Sequence, residues 1–324
     1  MIDAKDLDLN ERFLIALKEK FSKQTALISA VEDILKIERE SAYRRIKGTV
    51  QFTIREMGIL AQRLNISLDN LIVDDLVNVS HIYMVSPRTV ESLDKVAQGV
   101  QEYLLKVKMI EDVPNGEMGV AYAHLPMEFY TPYYHLFKFI YFKWGNYYVG
   151  PEKFKDFSKW EIPDNILNYH SNVMSMYNRM NKMIYIWDKA IIWDLVKEIK
   201  YFASAGMIED GDLNKIKNDI HHMLNDLEKL VAAGGPDNNS EKIELYVAHV
   251  KIGVTYSYIW SDTYAASYIT TLSMLSTINE NRSACKKIRK WIKSMKKVST
   301  LISGTGDKER ILFFKEQHQI VDSM

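Results

Sequence analysis

The sequence predicts a mainly α protein in two parts. One is a five-helix bundle at the N-terminus; the other is a larger, mostly helical remainder that carries a small antiparallel β-sheet. Three observations carry this reading. Apolar residues recur at spacings of three and four over most of the chain up to Ala233. The run Gly234-Gly-Pro-Asp-Asn-Asn-Ser240 then interrupts that pattern. From about residue 242 to 273 apolar and polar residues alternate with a period of two, after which helical spacing returns.

Taken in order, the first helix is expected over Asn10–Phe21, with Phe13, Leu14, Leu17 and Phe21 inward. Ser22 is placed to cap a second helix whose inner stripe is Leu27, Val31, Ile34 and Leu35. A third helix runs over about 39–47 and ends at Gly48, where left-handed backbone commonly stops a helix. Thr53-Ile-Arg-Glu56 is a capping box that opens a fourth helix reaching about Leu64, and Ser67 opens a short fifth, Leu68–Leu76. Domain boundaries follow at 1–78 and 79–324, with Val77–Val85 as the linker and Ser86-Pro87 as the next helix start. Five helices are expected beyond it: Val90–Ile110, Met127–Trp144, Ile166–Met180, Asp188–Ala203 and Leu213–Val231. Strands are expected at Ile243–Val247, Ile252–Tyr258 and Tyr264–Leu272, then helices at Ser283–Ile302 and Lys308–Asp322.

Composition narrows the function classes. The 324 residues are 47% apolar and 26% charged, enough for two ordinary hydrophobic cores. Lys and Arg number 42, as do Asp and Glu, so any nucleic-acid contact must come from a local patch rather than a global positive field. One cysteine, Cys285, excludes an internal disulfide framework. The acidic start MIDAKDLDLNERF lacks the apolar stretch of a signal peptide. The aromatic run Phe129–Val149 is interrupted by His135, Lys138 and Lys143, which argues against a membrane span. The expected location is the cytoplasm.

The most legible chemistry lies in the third helix. Read as an α-helix, it buries Ala42 and Ile46, with Ile37 holding the turn ahead of it. The opposite face offers Arg39, Glu40, Ser41, Tyr43 and Arg44, side chains suited to base edges. Arginine forks onto guanine O6 and N7, and glutamate accepts from cytosine N4. Lys36, Arg45, Lys47, Gln51, Thr53 and Arg55 are the expected contacts to the phosphate backbone. The run Leu35-Lys-Ile-Glu-Arg-Glu-Ser-Ala-Tyr-Arg-Arg-Ile-Lys-Gly48, followed by Leu60-Ala-Gln-Arg-Leu-Asn-Ile-Ser-Leu-Asp-Asn-Leu71, resembles the helix-turn-helix of lambda repressor and Cro-type regulators. In that family the turn usually holds a glycine where this chain has Lys36. The resemblance spans about residues 9–76. It implies a five-helix head that binds double-stranded DNA as a homodimer on a two-fold site.

The rest of the chain is less specific. Tyr130, Tyr133, Tyr134 and Trp144, within an aromatic-rich segment, are candidate linings of a ligand pocket for a small-molecule effector; a packed core or subunit interface is the competing account. The cationic run Arg282–Lys297 flanks an apolar stripe and suits DNA phosphates, an anionic effector or plain solvation. Cys285 sits beside that positive charge, which lowers a thiol pKa, yet a lone thiol without a resolving partner reads as structural. His221 and His222 are adjacent and diverge on a helix, so no metal or other cofactor is expected. No phosphate-binding glycine loop or nucleophile elbow appears, so no enzyme is expected either. The functional expectation is a DNA-binding transcriptional regulator whose C-terminal part dimerises it and senses a small molecule or protein. The alternative is a non-enzymatic scaffold whose head binds a protein partner.

Overall fold

The computed structural model describes residues 7–21, 23–64, 66–72, 92–170, 173, 180–235, 242–271 and 275–324. Its backbone divides into two units, Met1–Ile82 and Tyr83–Met324.

The first unit holds α1 (Leu9–Glu19), α2 (Gln24–Leu35), α3 (Arg39–Ile46), α4 (Ile54–Leu64) and α5 (Leu68–Ile72). Asp8 and Glu11 close a reciprocal capping box on α1. The expected cap Ser22 and the linker with Ser86-Pro87 lie outside the described residues, as does the far end of the fifth helix. Phe13, Leu17, Val31, Ala42, Ile46 and Leu60 are fully buried together. Each large apolar side chain buried this way contributes roughly 1.5–3 kcal/mol. Phe52 packs edge-on to Phe13 with ring centroids 5.6 Å apart, and its N–H donates to Asn10 Oδ1 at 2.8 Å. These contacts hold the segment between α3 and α4 against α1.

The second unit is built on a seven-stranded mixed sheet. Its strands are β1 (Glu117–Tyr122), β2 (Lys182–Asp188), β3 (Ile243–Ala248), β4 (Thr255–Trp260), β5 (Ala265–Thr271), β6 (Leu275–Asn279) and β7 (Ser299–Leu301), in the order β6-β5-β4-β1-β2-β3-β7. β1, β2 and β3 are parallel, while β4, β5, β6 and β7 add antiparallel neighbours. This corrects the expected mostly helical remainder with a small antiparallel sheet. β3 does not pair with β4 at all, because β1 and β2 stand between them.

The reason lies in burial. Five of the six residues of β1 and six of the seven of β2 are buried, so neither strand alternates apolar with polar. A parallel strand covered on both faces reads as a continuous apolar run, which a search for period two passes over. The helix expected from Asp188 begins instead at Ile191, since Asp188 ends β2.

Among the described residues the α-helices of this unit are α6 (Leu93–Lys108), α7 (Met127–Tyr130), α8 (Tyr134–Trp144), α9 (Asp164–His170), α10 (Ile191–Ser204), α11 (Asp210–Ala232), α12 (Arg282–Met295) and α13 (Asp307–Asp322). One face of the sheet, with Met118, Val120, Tyr185, Trp187 and Leu245, packs with α6, α8, α10, α11 and α13 into the main core. The other face, with Ala121, Ile184, Ile186 and Tyr258, is covered by Cys285, Ile292 and Met295 of α12. The helix expected to run to Ile302 thus stops at Met295 and gives way to a short turn and β7. No helix among the described residues is long and apolar enough to cross a membrane.

Candidate nucleic-acid interface

The connection between α2 and α3 is tight. Lys36 ends α2 in the left-handed region (φ 54°, ψ 46°), its own N–H bonded to the Glu32 carbonyl. Ile37 then turns inward, and Glu38 opens α3 in extended conformation. At the far end Gly48 takes φ +79°, and the N–H groups of Gly48 and Thr49 satisfy the carbonyls of Arg45 and Arg44.

Ala42 and Ile46 are the anchors of α3, both fully buried. Arg39, Glu40, Arg44 and Lys47 are exposed, whereas Ser41, Tyr43 and Arg45 are half-buried. Of the side chains expected at base edges, Arg39, Glu40 and Arg44 therefore project into solvent. Arg39 also reaches back to Ser29 at 3.2 Å and Glu32 at 3.5 Å. Such an exposed pair is easily exchanged for another anion. Tyr43 leans on the head core, and the Lys47 ammonium lies 5.5 Å above its ring.

Of the expected backbone contacts, Lys36, Lys47, Gln51 and Arg55 are exposed, but Arg45 and Thr53 are engaged elsewhere. Arg45 forks onto Glu56, Nη2 to Oε1 at 2.9 Å and Nε to Oε2 at 3.2 Å, and also donates to the Ser41 carbonyl. Thr53 and Glu56 exchange the two bonds of a capping box. Burial raises the Glu56 carboxyl pKa, but the Thr53 amide and the Arg45 guanidinium outweigh it and hold the group below its ordinary value. Arg45 is thus a positioning residue that clamps α3 to the start of α4. The capping box is visible in sequence; its second use is not, because Arg45 lies eleven residues upstream across a turn.

The second unit holds a different electrostatic arrangement. Glu117, at the start of β1, accepts from Arg289 Nε (2.8 Å), Lys293 Nζ (2.8 Å) and Tyr258 Oη (2.7 Å). Burial alone would raise its carboxyl pKa, but these donors pull it down to about 2. Gly119 is required there, since a Cβ would fall 2.3 Å from the Tyr258 ring as it crosses to Glu117. Six residues past β1's end, Glu128 is buried among tyrosines instead. Burial pushes it up to about 7, only partly opposed by hydrogen bonds from Tyr185 and Tyr122. Cys285 is likewise governed by burial, which lifts its thiol to about 12 against the opposing pull of Arg282 and Arg289.

The four candidate pocket residues are engaged by other side chains of this unit. Tyr130 stacks on Phe137, and Trp144 meets Tyr141 edge-on within the core. Tyr133 donates to Asp226 at 2.8 Å and Tyr134 to Glu161 at 2.5 Å. Two open grooves lie elsewhere: one of about 530 Å³ between the Val250–Val254 loop and Trp291, the other of about 690 Å³ at the carboxyl ends of β2 and β3 beside Trp193 and Phe313. Two long-range contacts are invisible in the sequence. His221 meets His318 rather than a near neighbour, Nδ1 to Nδ1 at 2.7 Å. Asp219 accepts from the His135 and Leu136 amides that open α8. Among the described residues no group of three or more His, Cys, Asp or Glu is placed to hold a metal. Comparison with protein-family models, with curated proteins and with solved structures finds no match for this chain.

Proposed function

We propose that this protein is a sequence-specific DNA-binding transcriptional regulator acting in the cytoplasm, with α3 as the helix that enters the major groove. The observation that carries the reading is the division of α3: Ala42 and Ile46 are fully buried while Arg39, Glu40, Arg44 and Lys47 point to solvent. A helix fixed by one face and offering a donor-and-acceptor mixture on the other is what base reading needs. Arg44 forks onto a guanine, Glu40 accepts from a cytosine amino group, and Lys36, Lys47, Gln51 and Arg55 grip flanking phosphates. The Arg45–Glu56 clamp keeps α3 at a constant angle, so the reading side chains meet the groove without an ordering cost.

Glu38 and Glu40 dilute the charge of α3, so one head binds weakly, and the protein acts as a homodimer on a two-fold site. Selection of bound duplexes from a random library tests this with the full chain. The expected result is an enriched, palindromic sequence; recovery of unenriched duplexes alone would overturn the reading.

A further inference from the structure

α12 sorts its positive charge into two rows. The inner row is used up by the protein itself. Arg289 and Lys293 bind Glu117, Lys296 binds Glu244, and Arg282 and Arg289 lie 4.3 and 4.9 Å from the Trp260 ring. The outer row is Lys286, Lys287, Lys290 and Lys297, all exposed. No acidic side chain among the described residues pairs with them. From Asn281 to Gly306 the sequence contains no Asp or Glu, although the chain as a whole is electrically neutral.

This arrangement is costly for the helix alone. Like charges three and four residues apart repel, and cations near a helix N-terminus oppose its dipole. α12 has no acid in its first turn, and its cap is the uncharged Asn281. An electrostatic conflict of this kind is relieved by an anionic partner. The outer row runs from Lys286 on α12 to Lys297 in the turn that follows it, a line of charge longer than one phosphate and suited to a series of them. A lipid surface fits less well, because most of the apolar side of the helix (Cys285, Ile292 and Met295) is buried against the sheet, leaving only Trp291 and Val298 exposed beside the lysines.

We propose that the outer row of α12 is a second DNA-binding surface that holds the phosphate backbone of a duplex without reading its sequence. This rests on the reading of α3 as the specific contact, to which α12 adds affinity through their covalent connection.

The test compares the full-length protein with K286Q/K287Q/K290Q/K297Q, and with a variant carrying Arg at the same four positions. Each is titrated with the library-selected duplex, with a scrambled one and with phosphatidylserine-containing vesicles across a salt series. Each neutralised phosphate contributes about 0.9 to the log-log salt slope. The Gln variant should lose roughly 3.6 units of slope per protomer and at least tenfold in affinity for both duplexes, with their ratio unchanged; the Arg variant should keep the slope. Thermal melts check that the Gln variant is folded. An unchanged slope overturns the proposal, as does loss of binding to anionic phospholipid vesicles with DNA binding intact. A missing preference between the duplexes, with the slope loss still present, counts against α3 alone.

Discussion

Two cationic helices sit in this molecule, and they are built differently. α3 with its C-terminal Lys47 carries four cations interleaved with Glu40, Ser41 and Tyr43; α12 carries six, followed by Lys296 and Lys297, with no acid among them. Each uses a carboxylate to fix its inner side: Glu56 holds Arg45, and Glu117 holds Arg289 and Lys293. The outer sides then diverge. The donors and acceptors of α3 can distinguish base pairs, whereas a row of lysines offers only point charges. On the proposed reading, a neutral chain keeps recognition and grip apart by where it places its acids.

Removing the inner carboxylates tests how far each helix depends on them. The largest expected effect is Glu117→Gln, which leaves Arg289 and Lys293 without their partner and should destabilise the second unit by about 2–3 kcal/mol near neutral pH. Because the folded pKa of Glu117 is depressed to about 2 from 4.5, its contribution is fully present above the unfolded value and lost as pH falls through that window. The gap between wild type and variant in urea midpoint should therefore close as the pH is lowered from 5 toward 2.

Glu128, past the other end of β1, sharpens the contrast by reversing the sign. Its folded pKa is raised to about 7, so wild-type stability falls as pH rises from 4.5 through 7. Glu128→Gln should be neutral at pH 4 and stabilising by about 2 kcal/mol at pH 8, read in the same urea titration.

The smallest effect belongs to the turn before α3. Lys36→Gly relieves a left-handed non-glycine residue and should raise the stability of the head by about 0.5 kcal/mol; the gain is limited by the extra freedom of the unfolded chain. A fall in melting temperature would show that Lys36 holds the turn by some other contact.

How much of this was readable in sequence follows the range of the signals. Most of the head is legible in sequence, because the Gly48 stop, the Thr53–Glu56 box and apolar spacing all act within four residues, although the Asp8–Glu11 box of α1 is passed over and α2 opens from Lys23 without a side-chain cap. The same holds for the burial of Ala42 and Ile46. The tie of Arg45 to Glu56 is not legible, because it depends on how α3 meets α4. In the second unit β1 and β2 were missed: a strand buried on both faces has no alternation to detect, and its parallel partner lies some sixty residues away. The same limit concealed the seat of α12. Its cations stood out in the sequence, but only the fold separates the four that have partners in Glu117, Glu244 and Trp260 from the four that do not.

Discrimination between the library-selected duplex and a scrambled one, measured by competition for the wild type and for Arg39→Ala/Arg44→Ala, bears most directly on the role of α3. We expect the double variant to lose about 2 kcal/mol of preference, roughly thirtyfold, while its salt-dependent binding to the scrambled duplex persists. Equal discrimination by the two proteins would contradict the assignment of α3 as the reading helix.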